Sequence, residues 1–198
     1  MTTQIPRADI LTPIHKAIRR SLFETAMTLG RTDFSEAAEV EAAEHAVTVC
    51  LDHLREHAEH EDRHVIPELV RIAPELAQTF SQEHPELERA SIAVESLWPR
   101  IAAQTGAERV SLGGELTRRF HALVAAAVLH MDREEREELP VLWDHFSDAE
   151  LGQLSGRIAA DIAPARMAEF GQLMFPALNG SEQRAMQQRI PRLAASAG

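Results

Sequence analysis

The sequence predicts an all-α chain, an up-down four-helix bundle with additional C-terminal helices. Three observations predict it. Alternating strand patterns are absent and β-branched residues are thin, while the helix formers Ala, Glu, Leu, Arg and Gln dominate. Apolar residues recur at the period of a helix. Four long periodic segments are joined by shortish links, as antiparallel neighbours in a bundle require.

The first helix opens at Thr12-Pro13, where Thr can cap and Pro suits the first turn, and runs to about Gly30. Leu11, Ile18, Leu22 and Leu29 form its apolar stripe, and His15 lies inside that stripe. The second helix runs from near Ser35 to the region of Pro67. Ala43, Val47, Cys50, Leu54, Ala58 and Val65 face inward, with Glu61 at the centre of the face and His57 to one side. The third covers roughly Ala73 to Gln104, with an irregularity before Pro85. Phe80, Leu87, Val94, Trp98 and Ile101 define its face and His84 lies within it. A Gly-rich link, Thr105 to Gly114, leads to the fourth helix, about Glu115 to Pro140. Leu116, Phe120, Leu123, Ala127 and Val141 point inward there, together with His130 and Glu134. Ser147-Asp-Ala-Glu reads as a capping box. It opens a tail of shorter helices, about Asp148–Ile162, Pro164–Leu178 and Ser181–Ile190. The expected division is a bundle over residues 1–147 and a helical extension packed on it over residues 148–198.

Composition narrows the function. The chain has 198 residues, enough to bury a core without disulfides. A net charge of −11 leaves no basic face for nucleic acid or an anionic membrane, and neither is expected as a partner. The longest apolar stretch, Ala122 to Leu129, has eight residues. A membrane span needs about 20. The single Cys50, read as a small core residue, excludes a disulfide framework and an all-Cys zinc site. It fits a reducing compartment, and with no signal-like apolar run near the N-terminus the expected location is cytoplasmic. With no Tyr in the chain, tyrosyl radical chemistry is excluded.

The ten histidines carry the chemistry. Each long helix offers one inward His: His15, His57, His84 and His130. Two helices add an inward Glu one turn later, Glu61 and Glu134. His57-x3-Glu61 precedes Pro67 as His130-x3-Glu134 precedes Pro140, ten residues from His to Pro in both, so the chain carries an internal repeat of two αα-hairpins. A buried carboxylate is costly unless paired or bound to metal. Arg19, one turn after His15, is the one inward Arg that could pair them. Imidazole and carboxylate without thiolate suit iron, manganese or zinc. Six ligands exceed a tetrahedral zinc site, and because a carboxylate can bridge, a dinuclear site follows. A ferritin-like site would need a second inward Glu-x2-His beside Glu61-x2-His64, and none is present.

These residues resemble the hemerythrin-like family, the HHE cation-binding domain, over about residues 8–147. The carriers are His15 in PIHKAIRR, His57 and Glu61 in HAEHEDRHVIPEL, His84 in QEHPEL, and His130 and Glu134 in HMDREEREELPVL. The resemblance implies two non-haem iron ions in a four-helix bundle, bridged by the Glu carboxylates and an oxo or hydroxo group. It departs from the oxygen carriers, which add a fifth His four residues beyond His84. Here that residue is Glu88, read as a flank residue. The four-His, two-Glu set is more similar to iron–sulfur-cluster repair proteins and to the hemerythrin domain of an iron-sensing F-box protein. The Cys-bearing N-terminal segment of the former and the F-box of the latter are missing. Fewer protein ligands leave an extra exchangeable position for oxygen, peroxide or nitric oxide.

The expected function is binding or sensing of oxygen, iron or redox state. The alternatives are an enzyme removing peroxide or nitric oxide, and an iron donor. No general base stands out apart from the ligands. His53, His60 and His64, with Glu59 and Asp62, read as a solvated polar edge or, alternatively, as a relay for iron or protons. His45, His121 and His145 have no inward partner. Met167, Phe170 and Met174 recur at helical spacing in the tail, for packing across the bundle end or for a homodimer contact, so the chain is expected to be a monomer or homodimer.

Overall fold

The computed structural model describes residues 7–195 of the chain, and side chains to residue 187. The ends of the expected division, residues 1–6 and 196–198, lie outside it. Helices α1 (Thr12–Arg31), α2 (Ala37–His64), α4 (Pro74–Glu95) and α6 (Gly106–Arg133) form the bundle, with short α3 (Ile66–Ile72) and α5 (Trp98–Ala102) between them. A π-helical turn, Glu134–Glu138, continues α6 into α7 (Leu139–His145). The tail forms α8 (Asp148–Asp161), α9 (Pro164–Met174), a 3-10 turn at Phe175–Ala177 and α10 (Gly180–Ala195). Around the bundle, α1 packs on α2 and α6, and α4 packs on α2 and α6.

The predicted stripes become the core. Ile18, Leu22, Leu29, Val47, Cys50, Leu87, Val94, Leu116, Phe120 and Leu123 are buried together. Burial of each large apolar side chain contributes about 1.5–3 kcal/mol to holding the helices together. Asp9 caps α1 by accepting from the backbone N–H groups of Thr12 at 2.8 Å and Leu11 at 3.1 Å, so Thr12 is the first helical residue rather than the cap. The expected capping box at Ser147 and Glu150 forms.

Four local expectations are corrected. The second helix ends at His64, and the segment containing Pro67 is the separate α3. The third helix passes through Pro85 unbroken and stops at Glu95, before α5 carries Pro99 in its first turn. The Thr105–Gly114 segment is not a link. Gly106, with φ of 59°, turns the chain into α6, and Gly113 lies inside that helix. A Cβ at Gly113 would sit 2.1 Å from the Phe34 ring, so this glycine admits Phe34 from the α1–α2 connection. The fourth helix therefore starts at Gly106, more than two turns before the expected Glu115, and gives way to the π-turn after Arg133, ahead of Pro140.

The tail closes two surfaces. Leu151 of α8 joins Val65, Leu69, Ala77 and Leu142 in a second cluster. Helix α9 lies against α1 and brings Phe170, 5% exposed, onto His53 of α2. Lys16 of α1 pairs with Glu182 of α10 at 2.5 Å. Phe170 thus packs along the bundle side, while Met167 stays partly exposed at 36%.

Candidate metal centre

The six candidate residues converge. His15, His57, Glu61, His84, His130 and Glu134 come from α1, α2, α4, α6 and the π-turn, and each is no more than 6% exposed. Helical period explains the convergence. His57 and Glu61 are one turn apart on α2, with His57 Nε2 3.3 Å from Glu61 Oε1. His130 Nε2 and Glu134 Oε1 are 3.0 Å apart at the end of α6.

The ligand atoms form two groups, each able to hold a metal ion. One is His15, His57, Glu61 and Glu134, and the other is Glu61, His84, His130 and Glu134. Within each group the atoms lie within 4.8 Å of one another, and both groups share the two glutamates. Both Glu61 oxygens, Glu134 Oε2 and His84 Nε2 are buried without a hydrogen-bond partner. Buried polar atoms are seldom left in this state, so the residues present fit bound metal, with Glu61 and Glu134 common to both groups.

Carboxylates behind the imidazoles fix their orientation. His15 Nδ1 donates to Glu135 at 3.0 Å, His84 Nδ1 to Asp62 at 2.7 Å and His130 Nδ1 to Glu83 at 2.8 Å. A carboxylate only accepts, so in each case the Nδ1 proton is the one donated, and Nε2 faces the centre. Glu135 is braced by Arg19 at 2.7 Å, and Glu83 by Arg133. Arg19 thus pairs behind His15 and not with Glu61 or Glu134. Among the described residues His57 Nδ1 has no carboxylate partner.

Charge in the metal-free site is distributed unevenly. Burial draws the pKa of His15 down, but Glu135, Glu61 and Glu134 outweigh it and hold it at about 9. Burial likewise opposes protonation of His84, yet Glu134, Glu61 and Asp62 raise it to about 11. His57 goes the other way. Burial, reinforced by the His15 and His130 charges, lowers it to about 4. Burial pushes Glu61 up, and the neighbouring imidazoles of His57, His15 and His84 bring it well below its usual value.

The flank histidines do not form one edge. His53 is buried at 6% exposure against Phe170, with ring centroids 5.8 Å apart, which corrects the expectation of a solvated residue. The covering side chain comes from a distant helix, so the period of α2 alone could not show it. His64 pairs with Asp161 of α8 at 2.8 Å. His45, His121 and His145 are exposed, as expected. Glu88 is a flank residue, held by Arg55 at 3.3 Å. The sequence reading missed Glu83 and Glu135, gave Asp62 no role at His84, and also missed Glu138, a buried carboxyl at 2% exposure. Their common signal is helical proximity to a ligand: Glu83 and Glu135 are adjacent to ligands in sequence, and Asp62 follows Glu61.

A cavity of about 370 Å³ reaches the centre from the surface between α2 and α4. His57, Glu61, His84 and His130 form its inner wall, and Leu54, Ala58, Leu87 and Met131 line its sides. At its mouth Arg55 is held by Asp52, Glu88 and Glu95.

The fold and the convergent His/Glu set define a helical cation-binding domain. Residues 7–142 match the hemerythrin HHE cation binding domain model, and the chain belongs to that family. No curated protein matches the sequence. Among the described residues no helix is long and apolar enough to cross a membrane.

Proposed function

We propose that the chain is a non-haem di-iron protein that binds or senses a small ligand, oxygen, peroxide or nitric oxide, at two irons held by His15, His57, Glu61, His84, His130 and Glu134. The sharing of Glu61 and Glu134 between two ligand groups supports a pair of ions. Imidazole with carboxylate supports iron. The observation that carries the ligand reading is the cavity, whose mainly aliphatic side walls lead to the centre. Its volume lies at the low end for ligand pockets, and apolar walls favour a small neutral molecule over a charged metabolite.

Bound iron would supply a redox-active Lewis acid with exchangeable positions. The chain's own residues do the rest. Asp62, Glu83 and Glu135 hold three imidazoles in place. Leu54, Leu87 and Met131 restrict water beside the centre. The Arg55 network fixes the mouth of the cavity. Glu88 stands where a carrier places its fifth His, and Arg55 holds its carboxylate at the mouth of the cavity.

Metal analysis and the absorption spectrum of purified, reduced and re-aerated protein test this reading. The expected result is about two iron per chain. One zinc and no iron overturns it. Stopped-flow mixing of reduced protein with oxygen should give only a brief change before the fully oxidised spectrum. A species that persists for hours and reverses under vacuum would place the protein with the oxygen carriers. Sustained peroxide or nitric oxide turnover would make it an enzyme, and rapid loss of iron to an apo iron–sulfur protein would make it a donor.

A further inference from the structure

Glu138 is not among the six candidate ligands, yet it is a carboxyl 2% exposed whose Oε1 has no hydrogen-bond partner. It closes the π-turn Glu134–Glu138, in which the Leu139 N–H bonds to the Glu134 carbonyl. Such turns commonly occur at functional sites. Burial pushes its pKa well up, the charges of Glu61 and Glu134 add to this, and the nearby imidazoles of His15 and His84 oppose it in part.

The internal repeat shows that a carboxyl is not needed here for packing. A shift of 73 residues superposes His57 on His130, Glu61 on Glu134 and Pro67 on Pro140. The same shift superposes Val65 on Glu138. Val65 is 1% exposed and packs in an apolar cluster, so one half of the repeat has a valine where the other buries an acid. A buried carboxyl beside two others costs stability in the metal-free fold, and among the described residues no side chain makes a hydrogen bond to its Oε1.

We propose that Glu138 is a third carboxylate of the metal centre, placed by the π-turn next to Glu134 as an additional ligand for a bound metal ion. The proposal rests on the di-iron reading above. It accounts for the unpartnered oxygen, for the departure from the repeat, and for the local change of helical winding just after His130 and Glu134. It also supplies a protein oxygen for one of the positions that four imidazoles and two bridging carboxylates leave open.

The test compares wild type, Glu138→Gln and Glu138→Val, the last restoring the residue found in the other half of the repeat. Two quantities are measured: anaerobic Fe(II) binding by chelator competition, and the melting temperature of the metal-free protein. The expected result is a split. Glu138→Val melts higher than wild type without metal, because a buried carboxyl is gone, yet binds at least one Fe(II) about tenfold or more weakly. Glu138→Gln keeps the shape, loses the anionic oxygen and also binds more weakly. A variant that merely misfolds would melt lower, so the two causes separate. Unchanged Fe(II) affinity in both variants, with wild type loading two ions, overturns the role of Glu138 alone. Failure of wild type to bind Fe(II) overturns the metal centre and this inference with it.

Discussion

His15 and His57 meet through their Nε2 atoms at 3.0 Å, although 42 residues separate them in sequence. The pair is electrically unequal, with His15 held up at about 9 and His57 pushed down to about 4. At neutral pH His15 is therefore the cation and donates, while His57 is neutral and accepts. A metal ion bound by both must displace the proton on His15, so loading releases protons and strengthens with rising pH.

The same inequality sets the pH dependence of the metal-free fold. His15 is raised above its unfolded value of 6.5, so its contribution is complete below that value and is lost as pH rises through about 9. His84 acts in the same direction up to about 11. His57, lowered to about 4, removes stability as pH falls from 6.5 toward 4. Melting curves of metal-free protein should peak near pH 6.5 and decline toward pH 9. A metal-free melting temperature that climbs from pH 6.5 to 9 contradicts this assignment.

Replacing His15, His57, His84 or His130 with Ala should each reduce iron content and the visible spectrum. His60→Ala, His121→Ala and His145→Ala should leave both nearly intact. His53→Ala is a separate case. It should keep the metal but melt lower, because His53 is buried under Phe170. Loss of iron in His60→Ala with retention in His57→Ala would place the ligand on the wrong face of α2.

Asp62→Asn, Glu83→Gln and Glu135→Gln retain shape but remove the charge behind an imidazole. Each should weaken metal binding by about 10–100-fold, measured by chelator competition. Equal affinity in all three would show that Arg19, Arg133 and the helix backbones suffice to orient the rings.

Ser91→Phe should fill the cavity from α4 without touching a candidate ligand. Iron content should match wild type, and azide binding to the oxidised protein, followed by absorption, should slow by about tenfold or more, the effect of roughly 1.4 kcal/mol on a barrier. An unchanged rate would mean that ligands reach the centre by another path.

Phe170→Ala tests how the tail is held. Truncating a buried Phe costs about 3–5 kcal/mol when the surroundings cannot collapse. A clear drop in melting temperature, with α9 becoming more accessible to protease, is the expected result. No change in either would show that α9 contributes nothing at His53.

Much of the fold was legible because the bundle helices are amphipathic, and their stripes state which face is buried. The six centre residues were legible for the same reason, since polar residues at apolar positions stand out and the His-x3-Glu-x5-Pro repeat fixes their order. Glu138 was hidden in the acidic run Glu134–Glu138, where three glutamates and an arginine surround the position and suggest a solvated face. The alignment of Val65 with Glu138 was the signal that could have revealed it. Gly113 misled in the opposite direction. Its neighbours suggested a link, but its lack of a side chain serves the Phe34 contact, a requirement that only the folded packing defines. His53 is covered by a residue 117 positions away (170 − 53), beyond the reach of any local pattern.

The repeat makes the two halves of the centre look equivalent, but their support is not. His84 and His130 are both anchored at Nδ1 by carboxylates, whereas in the other group only His15 is. The shared glutamates belong to both groups, so the difference lies in the imidazoles. A ring without an anchor swings away from its ion more readily, and His57 also forms part of the cavity wall. With the proposed pair of ions bound, the one on the His15–His57 side should be the labile one, exchanging first with chelators and refilling last, and its neighbour should stay behind as a mononuclear remnant.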